Sequence, residues 1–175
     1  MAIEYGDGSD SNAGRIVQVV TNTKDDTASF SSGSSSPSSL ENTFNISVTP
    51  TSSSHKVLVK FTLTVGVNGS TAITGALYRK ISSTETALLL GQASGSRDRI
   101  TTGIACNNGH NITCLNVEYL DSPNTTSSCK YYLKLSQMTG STEPYYLGRS
   151  HNDSDQSSYA RGSCHALLME VAAWV

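Results

Sequence analysis

The side chains best equipped for chemistry sit together late in the chain. Residues 148–162, GRSHNDSDQSSYARG, carry Arg149, His151, Asn152, Asp153, Asp155, Tyr159 and Arg161. Asn152, Asp153 and Asp155 are hard oxygen donors of the kind Ca²⁺ takes, but the spaced Gly and closing Glu of an EF-hand loop are missing. An Asx-rich turn fits better, with carboxylates that accept backbone N–H bonds or pair with Arg149 and Arg161. His55, His110, His151 and His165 fall at no metal-binding spacing and belong to no HExxH or C-x-x-C pattern. Serines are so abundant that a Ser-His-Asp set can be assembled on paper, yet no GxSxG elbow is present. No constellation specifies a reaction, so the expectation is a non-enzyme without metal or cofactor. The sequons at Asn45, Asn68, Asn111, Asn124 and Asn152 are what chance yields in a chain this rich in Asn, Ser and Thr.

Tyrosine is the main aromatic, with 8 residues against 3 Phe and 1 Trp, and Tyr131, Tyr132, Tyr145, Tyr146 and Tyr159 fall close together. An apolar ring with a polar tip suits subunit interfaces and sugar-binding faces, and equally a core in which the hydroxyls are satisfied. Tyr145, Tyr146, Arg149, Tyr159, Arg161 and Trp174 are therefore the candidate partner or oligomer interface. Trp174, in the closing AAWV, reads either as part of a buried last strand or as a plug in a neighbouring subunit.

These groups must be positioned by strands. The chain has 175 residues, enough for one domain with its own core and too short for two comfortable ones. Only 15% of residues are charged, and Ser and Thr far outnumber the 12 Lys and Arg and the 14 Asp and Glu, a mix that favours strands and turns over helices. A net charge of -2 with scattered basic residues supplies no field to gather phosphates, so nucleic acid is not an expected partner. No apolar stretch is long enough to span a membrane, and the start lacks the apolar core of a signal peptide, so synthesis in the cytoplasm of whatever cell makes it is expected. In that compartment Cys106, Cys114, Cys129 and Cys164 are expected as free, mostly buried thiols.

Residues 1–13 read as a flexible N-terminal arm and residues 14–175 as a single domain. Residues 15–23 form a first strand, and residues 24–40, rich in Ser, Gly and Pro, a long mobile surface loop. Residues 43–49 alternate, with Phe44, Ile46 and Val48 on one face. Residues 56–67 alternate over their whole length, with Val57, Val59, Phe61, Leu63, Val65 and Val67 sharing one face, long enough for a central strand. Asn68-Gly69 and Asn108-Gly109 carry the chemistry of tight hairpins joining the strands on either side of them. The second would set Cys106 opposite Asn111, so spacing implies no Cys106–Cys114 bond. Further strands fall near residues 87–90, 129–135, 145–147 and 166–171. Nine to ten strands with almost no helical pattern imply an all-β, antiparallel β-sandwich of jelly-roll-like type, whose open edges an oligomer would cover.

Residues 77–79 (LYR), 91–99 (GQASGSRDR), 120–126 (LDSPNTT) and 148–171 (GRSHNDSDQSSYARGSCHALLMEV) together resemble a family of small β-rich virion surface proteins of marine tailed bacteriophages. The likeness covers most of residues 14–171. It implies a virion structural component on a jelly-roll-like sandwich, often trimeric, either a capsid decoration (cement) protein or the head domain of a tail fibre. A domain that begins so near Met1, without the long shaft of a fibre, favours the capsid surface. The expectation is then a homotrimer clamping major capsid protein subunits on the outside of the head, with residues 1–13 ordering on the capsid. The alternative is a tail-fibre or tail-tip receptor-binding module that takes host surface glycans through residues 91–98 and 148–162.

Overall fold

The structure is a computed structural model and describes residues 14–33, 36–67, 71–106, 112–138 and 143–173. Residues 1–13 and 174–175, and with them Trp174, lie outside the described residues, as does His110. The strands run β1 (Ile16–Lys24), β2 (Ala28–Ser32), β3 (Ser38–Ser39), β4 (Asn45–Val48), β5 (Lys56–Val67), β6 (Thr71–Ile81), β7 (Thr84–Leu88), β8 (Thr102–Cys106), β9 (Thr113–Asp121), β10 (Cys129–Gln137), β11 (Glu143–Leu147) and β12 (Cys164–Val171). They make two antiparallel sheets, a jelly-roll-like β-sandwich of the class expected, with more strands than the nine or ten expected.

The first sheet is organised around β5. One edge of β5 pairs with β12 along residues 56–62 and then with β11 along residues 65–67, while the other edge pairs with β9. β1 extends the sheet beyond β12, and β2 extends it beyond β11. In the second sheet β10 and β6 are the central pair, flanked by β4 and β3 on one side and by β7 and β8 on the other. The apolar row of β5 points into the space between the sheets, with Val57, Val59, Leu63, Val65 and Val67 at 0% exposure and Phe61 at 1%. Ile73, Leu77, Tyr131, Leu133 and Leu135 meet it from the second sheet. Period-2 alternation becomes a core here because each sheet has one face turned to the other. Each such side chain stabilises by roughly 1.5–3 kcal/mol on burial.

Both expected hairpins are corrected. β5 lies in the first sheet and β6 in the second, so the strands on either side of residues 68–70, which lie outside the described residues, do not pair with each other. Both edges of β5 are already occupied, and β6 finds its partners in β10, β7 and β8. Asn-Gly permits a tight reversal, but free edges decide whether the strands pair. The strands on either side of residues 107–111, which also lie outside the described residues, are β8 in the second sheet and β9 in the first, and Cys106 pairs with Thr71 of β6. A tight connection forms instead at Ser82-Ser83, where Ile81 pairs with Thr84 and Ser82 takes a φ of 53°.

The polar stretch 24–40 is also corrected, since it contains β2 and β3. Phe30 of β2 stacks on Tyr145 with ring centroids 5.4 Å apart, an apolar anchor hidden among serines. Of the cysteines, Cys129 and Cys164 are buried free thiols and Cys114 is an exposed one. Burial pushes the thiol pKa of Cys129 and Cys164 up.

Candidate functional site

Residues 148–163 leave the sheet between β11 and β12, two strands that follow one another along the same edge of β5. The base of this excursion is clamped by backbone contacts. Gly148 N–H donates to Thr64 O at 2.9 Å, Gly162 N–H to Gly148 O at 3.0 Å and Ser150 N–H to Ala160 O at 3.2 Å, with a bridge between Arg149 and Arg161. Gly148 has a φ of 74°, and a Cβ there would come within 2.9 Å of Asp26 O, so this position needs glycine on both counts. Gly66 admits the neighbouring backbone, because a Cβ there would meet Arg149 O at 2.4 Å.

The side chains above this base lock one another. The Arg149 guanidinium stacks on the Tyr146 ring at 3.8 Å and donates to His151 O at 2.8 Å and Ser150 O at 3.0 Å. Its Nε approaches Asp153 at 3.8 Å, while Arg161 grips the same carboxylate through Nε at 3.1 Å and Nη2 at 2.9 and 3.0 Å. His151 Nδ1 shares a 3.2 Å hydrogen bond with the Tyr146 hydroxyl. The Asx-rich turn paired with Arg149 and Arg161 is thus present, with Asp153 at its centre. Asp153, Ser154, Asp155, Gln156, Tyr159 and Arg161 line a shallow concavity of about 370 Å³.

Of the expected interface residues that the structure describes, two are buried within the chain. Tyr145 is wholly buried, its ring against Phe30 in the core. Tyr146 is 8% exposed and lies beneath Arg149 and His151. Arg149, Tyr159 and Arg161 do come together on the excursion.

Two buried polar clusters went unforeseen. Glu170, at 0% exposure, accepts hydrogen bonds from Thr51 N–H at 2.7 Å, the Thr51 hydroxyl at 2.8 Å and Gln18 Nε2, and meets His55 Nδ1 at 2.7 Å. Burial pushes this carboxyl up, but the hydrogen bonds of Gln18, His55 and Thr51 outweigh it and hold the pKa down at about 2. In the second cluster Arg79 Nη1 donates to the two Asp121 oxygens at 2.8 and 2.7 Å, and the Tyr131 hydroxyl donates to Asp121 Oδ2 at 2.8 Å. Burial and the Asp121 carboxylate together push the Tyr131 hydroxyl pKa well up. Asp121 belongs to β9 and its partners to β6 and β10, so this cluster ties the two sheets together.

Among the described residues no group of three or more His, Cys, Asp and Glu is arranged to hold a metal ion. In both polar clusters carboxylate acceptors face hydrogen-bond donors, while the buried Arg79 Nε is left without a partner.

No family model matches the chain, and no curated protein matches it. Among solved structures it is similar to a chain of the infectious bursal disease virus Gx strain, with 12% identity, a TM-score of 0.45, and 90% of this chain matched to 38% of that one. It is similar also to the VP2 subviral particle of infectious bursal disease virus, at 15% identity and a TM-score of 0.36 over 90% of this chain and 38% of that chain. A third is the T=1 particle derived from the same virus, at 15% identity and a TM-score of 0.38 over 90% and 36%. The chain thus spans under two-fifths of the length of each. Superpositions this loose attach no function to it.

Proposed function

We propose that the protein is a virion structural protein, a capsid decoration (cement) protein of a tailed phage that binds the outer surface of the head as a homotrimer. The major capsid protein is then its partner. The observation that carries this reading is that the ionic groups of the candidate site and of the interior are spent on one another: Asp153 on Arg149 and Arg161, Asp121 on Arg79 and Tyr131, Glu170 on His55, Thr51 and Gln18. Such a molecule is passive architecture, a stiff sandwich carrying a clamped excursion. The resemblance of residues 77–79, 91–99, 120–126 and 148–171 to phage surface proteins supports a place on the virion for that architecture. Three linked copies raise effective concentration, so shallow contacts suffice for docking.

The test adds purified protein to undecorated heads and counts bound copies. Saturable binding in many copies per particle, by a protein whose solution mass is that of a trimer, is the expected result. Failure to cosediment with heads from any host-matched phage removes the reading. Alternatively, the concavity lined by Tyr159, Gln156, Asp153 and Arg161 favours a tail-fibre or tail-tip module that takes host glycans. That reading predicts retention on a glycan array, lost in Tyr159→Ala, and only a few copies per particle.

A further inference from the structure

The outer face of the first sheet, the one turned away from the core, carries apolar side chains in register across four neighbouring strands. Val19 of β1 is paired with Met169 of β12, Met169 with Leu58 of β5, and Leu58 with Leu120 of β9. The row is open: Val19 is 52% and Leu120 46% exposed, and Met169 and Leu58 are half-buried. The adjoining row, Ile16 to Val171 to Lys56, adds Ile16 at 52% exposure, and the row on the other side adds Leu167 before the Lys60–Glu118 pair. Scattered exposed apolar residues need no explanation, but a contiguous stripe across a sheet marks a surface that something covers.

The chain outside the described residues begins at the margin of this stripe. Gly14 N–H donates to Ala172 O, and Ala172 N–H donates to Arg15 O, each at 2.9 Å, which places the start of the described chain beside Ile16 and Val171. Gly14 takes a φ of 73°, a conformation that turns the backbone off the line of β1. Upstream stands MAIEYGDGSDSNA, in which Met1, Ile3 and Tyr5 alternate as one apolar side and residues 6–13 are a polar tether. Fully extended, residues 6–13 reach up to ~26 Å. The distance from β1 to β9 is three strand spacings, about 14 Å. Charge agrees with length: the segment carries Glu4, Asp7 and Asp10 and no basic residue, while Lys56, Lys60 and Arg15 border the stripe.

We infer that in the isolated protein residues 1–13 lie across the outer face of their own first sheet, with Met1, Ile3 and Tyr5 seated on the row formed by Val19, Met169, Leu58 and Leu120. The segment then shields from water the apolar stripe that the first sheet leaves open among the described residues. This packing is independent of whether a virus head is the partner, and it is tested without one.

The experiment compares the full chain with a variant lacking residues 2–13, by methyl NMR of Leu58, Leu120 and Met169 and by binding of a hydrophobic dye, over a dilution series. Loss of the segment is expected to shift those methyl resonances and raise dye fluorescence several-fold, and a synthetic peptide of residues 1–13 is expected to reverse both. The full chain with Ile3→Asp and Tyr5→Asp keeps every strand residue and is expected to behave like the shortened variant, which covers the case in which shortening impairs folding. Methyl spectra identical in all three proteins overturn the inference. So do resonances of the full chain that move on dilution, because a second copy would then be the cover.

Discussion

The two outer faces of this sandwich are built on opposite principles. On the second sheet, Tyr78 and Tyr132 are cross-strand neighbours whose rings stack at 6.0 Å, with the Lys134 ammonium 4.3 Å over Tyr78. Glu85 accepts from Lys134 at 2.7 Å and from the Tyr132 hydroxyl, and Glu41 pairs with Lys80 at 2.8 Å and Lys130 at 3.5 Å. These charged and aromatic side chains are engaged laterally, within the chain. On the first sheet the equivalent central row is Val19, Met169, Leu58 and Leu120, side chains that gain little from one another while water covers them. One face is finished by its own sequence and the other calls for a cover. A partner that reads the first face gains apolar area, while one that approaches the second must break ion pairs it cannot replace.

That contrast rests on the sheets holding their mutual position, and the Asp121 cluster does this. Asp121→Asn, or Arg79→Met, leaves a buried charge without its counterpart, and the expected loss is about 3–5 kcal/mol in urea unfolding. Replacing both residues together with apolar groups is expected to recover much of that loss. A single substitution costing less than 1 kcal/mol would mean that water reaches the cluster and that the sheets are held by apolar packing alone.

The Glu170 cluster makes a somewhat smaller, pH-dependent contribution at the end of the first sheet. Its carboxyl is held down at about 2 against an ordinary value of 4.5, so the folded state binds its proton less readily than the unfolded chain. Stability from this group is therefore complete above pH 4.5 and is lost as the pH falls toward 2, roughly 3 kcal/mol in all. Denaturant titrations at pH 6, 4 and 3 measure it. Glu170→Gln is expected to be less stable than the parent at pH 6 and to show a flatter acid limb, and a parallel acid limb in the two proteins would assign the loss to other carboxylates.

Much of the sandwich was legible because alternation translates directly into a buried face. The twelve-residue run of β5 was read with the limits the structure shows, Lys56–Val67. What alternation could not supply was partnership. Asn68-Gly69 and Asn108-Gly109 carry the sequence signal of a reversal, but which sheet receives the following strand depends on edges occupied by residues far away in the chain. The strand β2 was invisible for a related reason: ASFSS has only Ala28 and Phe30 as apolar side chains, and its pairing with β11, with Phe30 stacked on Tyr145, makes it a strand. For the polar clusters a signal existed and was passed over. Glu170 continues the inward series Cys164, Ala166, Leu168; Asp121 continues Leu115, Val117, Tyr119; and Arg79 continues Ile73, Gly75, Leu77. A charged residue on the apolar parity of a strand implies a buried partner, whereas the Asp and Arg residues of the 148–162 excursion drew attention by density alone.

The engaged face is expected to matter less to stability than either buried cluster. Lys134→Ala removes an ammonium that is 22% exposed and contacts Glu85 and Tyr78, and the expected cost is about 0.5–1 kcal/mol, falling as salt is raised. Glu85 is held low chiefly by the Lys134 hydrogen bond, with Tyr132 next, so the substitution should also move its titration upward. A cost independent of salt would make the Tyr78 contact, and not the ion pair, the stronger part.

The smallest effect is the most telling for the open face. Leu120 is 46% exposed, and Leu120→Ser in the chain lacking residues 2–13 should change stability by no more than ~0.5 kcal/mol, as surface substitutions do. In the full chain the same substitution should cost more, by about 0.5–1 kcal/mol, if Met1, Ile3 and Tyr5 bury that side chain. The difference between the two costs is the coupling between Leu120 and the N-terminal segment, and it cancels whatever the substitution does to the sheet itself. Equal costs in the two backgrounds would leave the first sheet as open in solution as it stands in the fold, and the contrast between the faces would then have to be resolved by a partner.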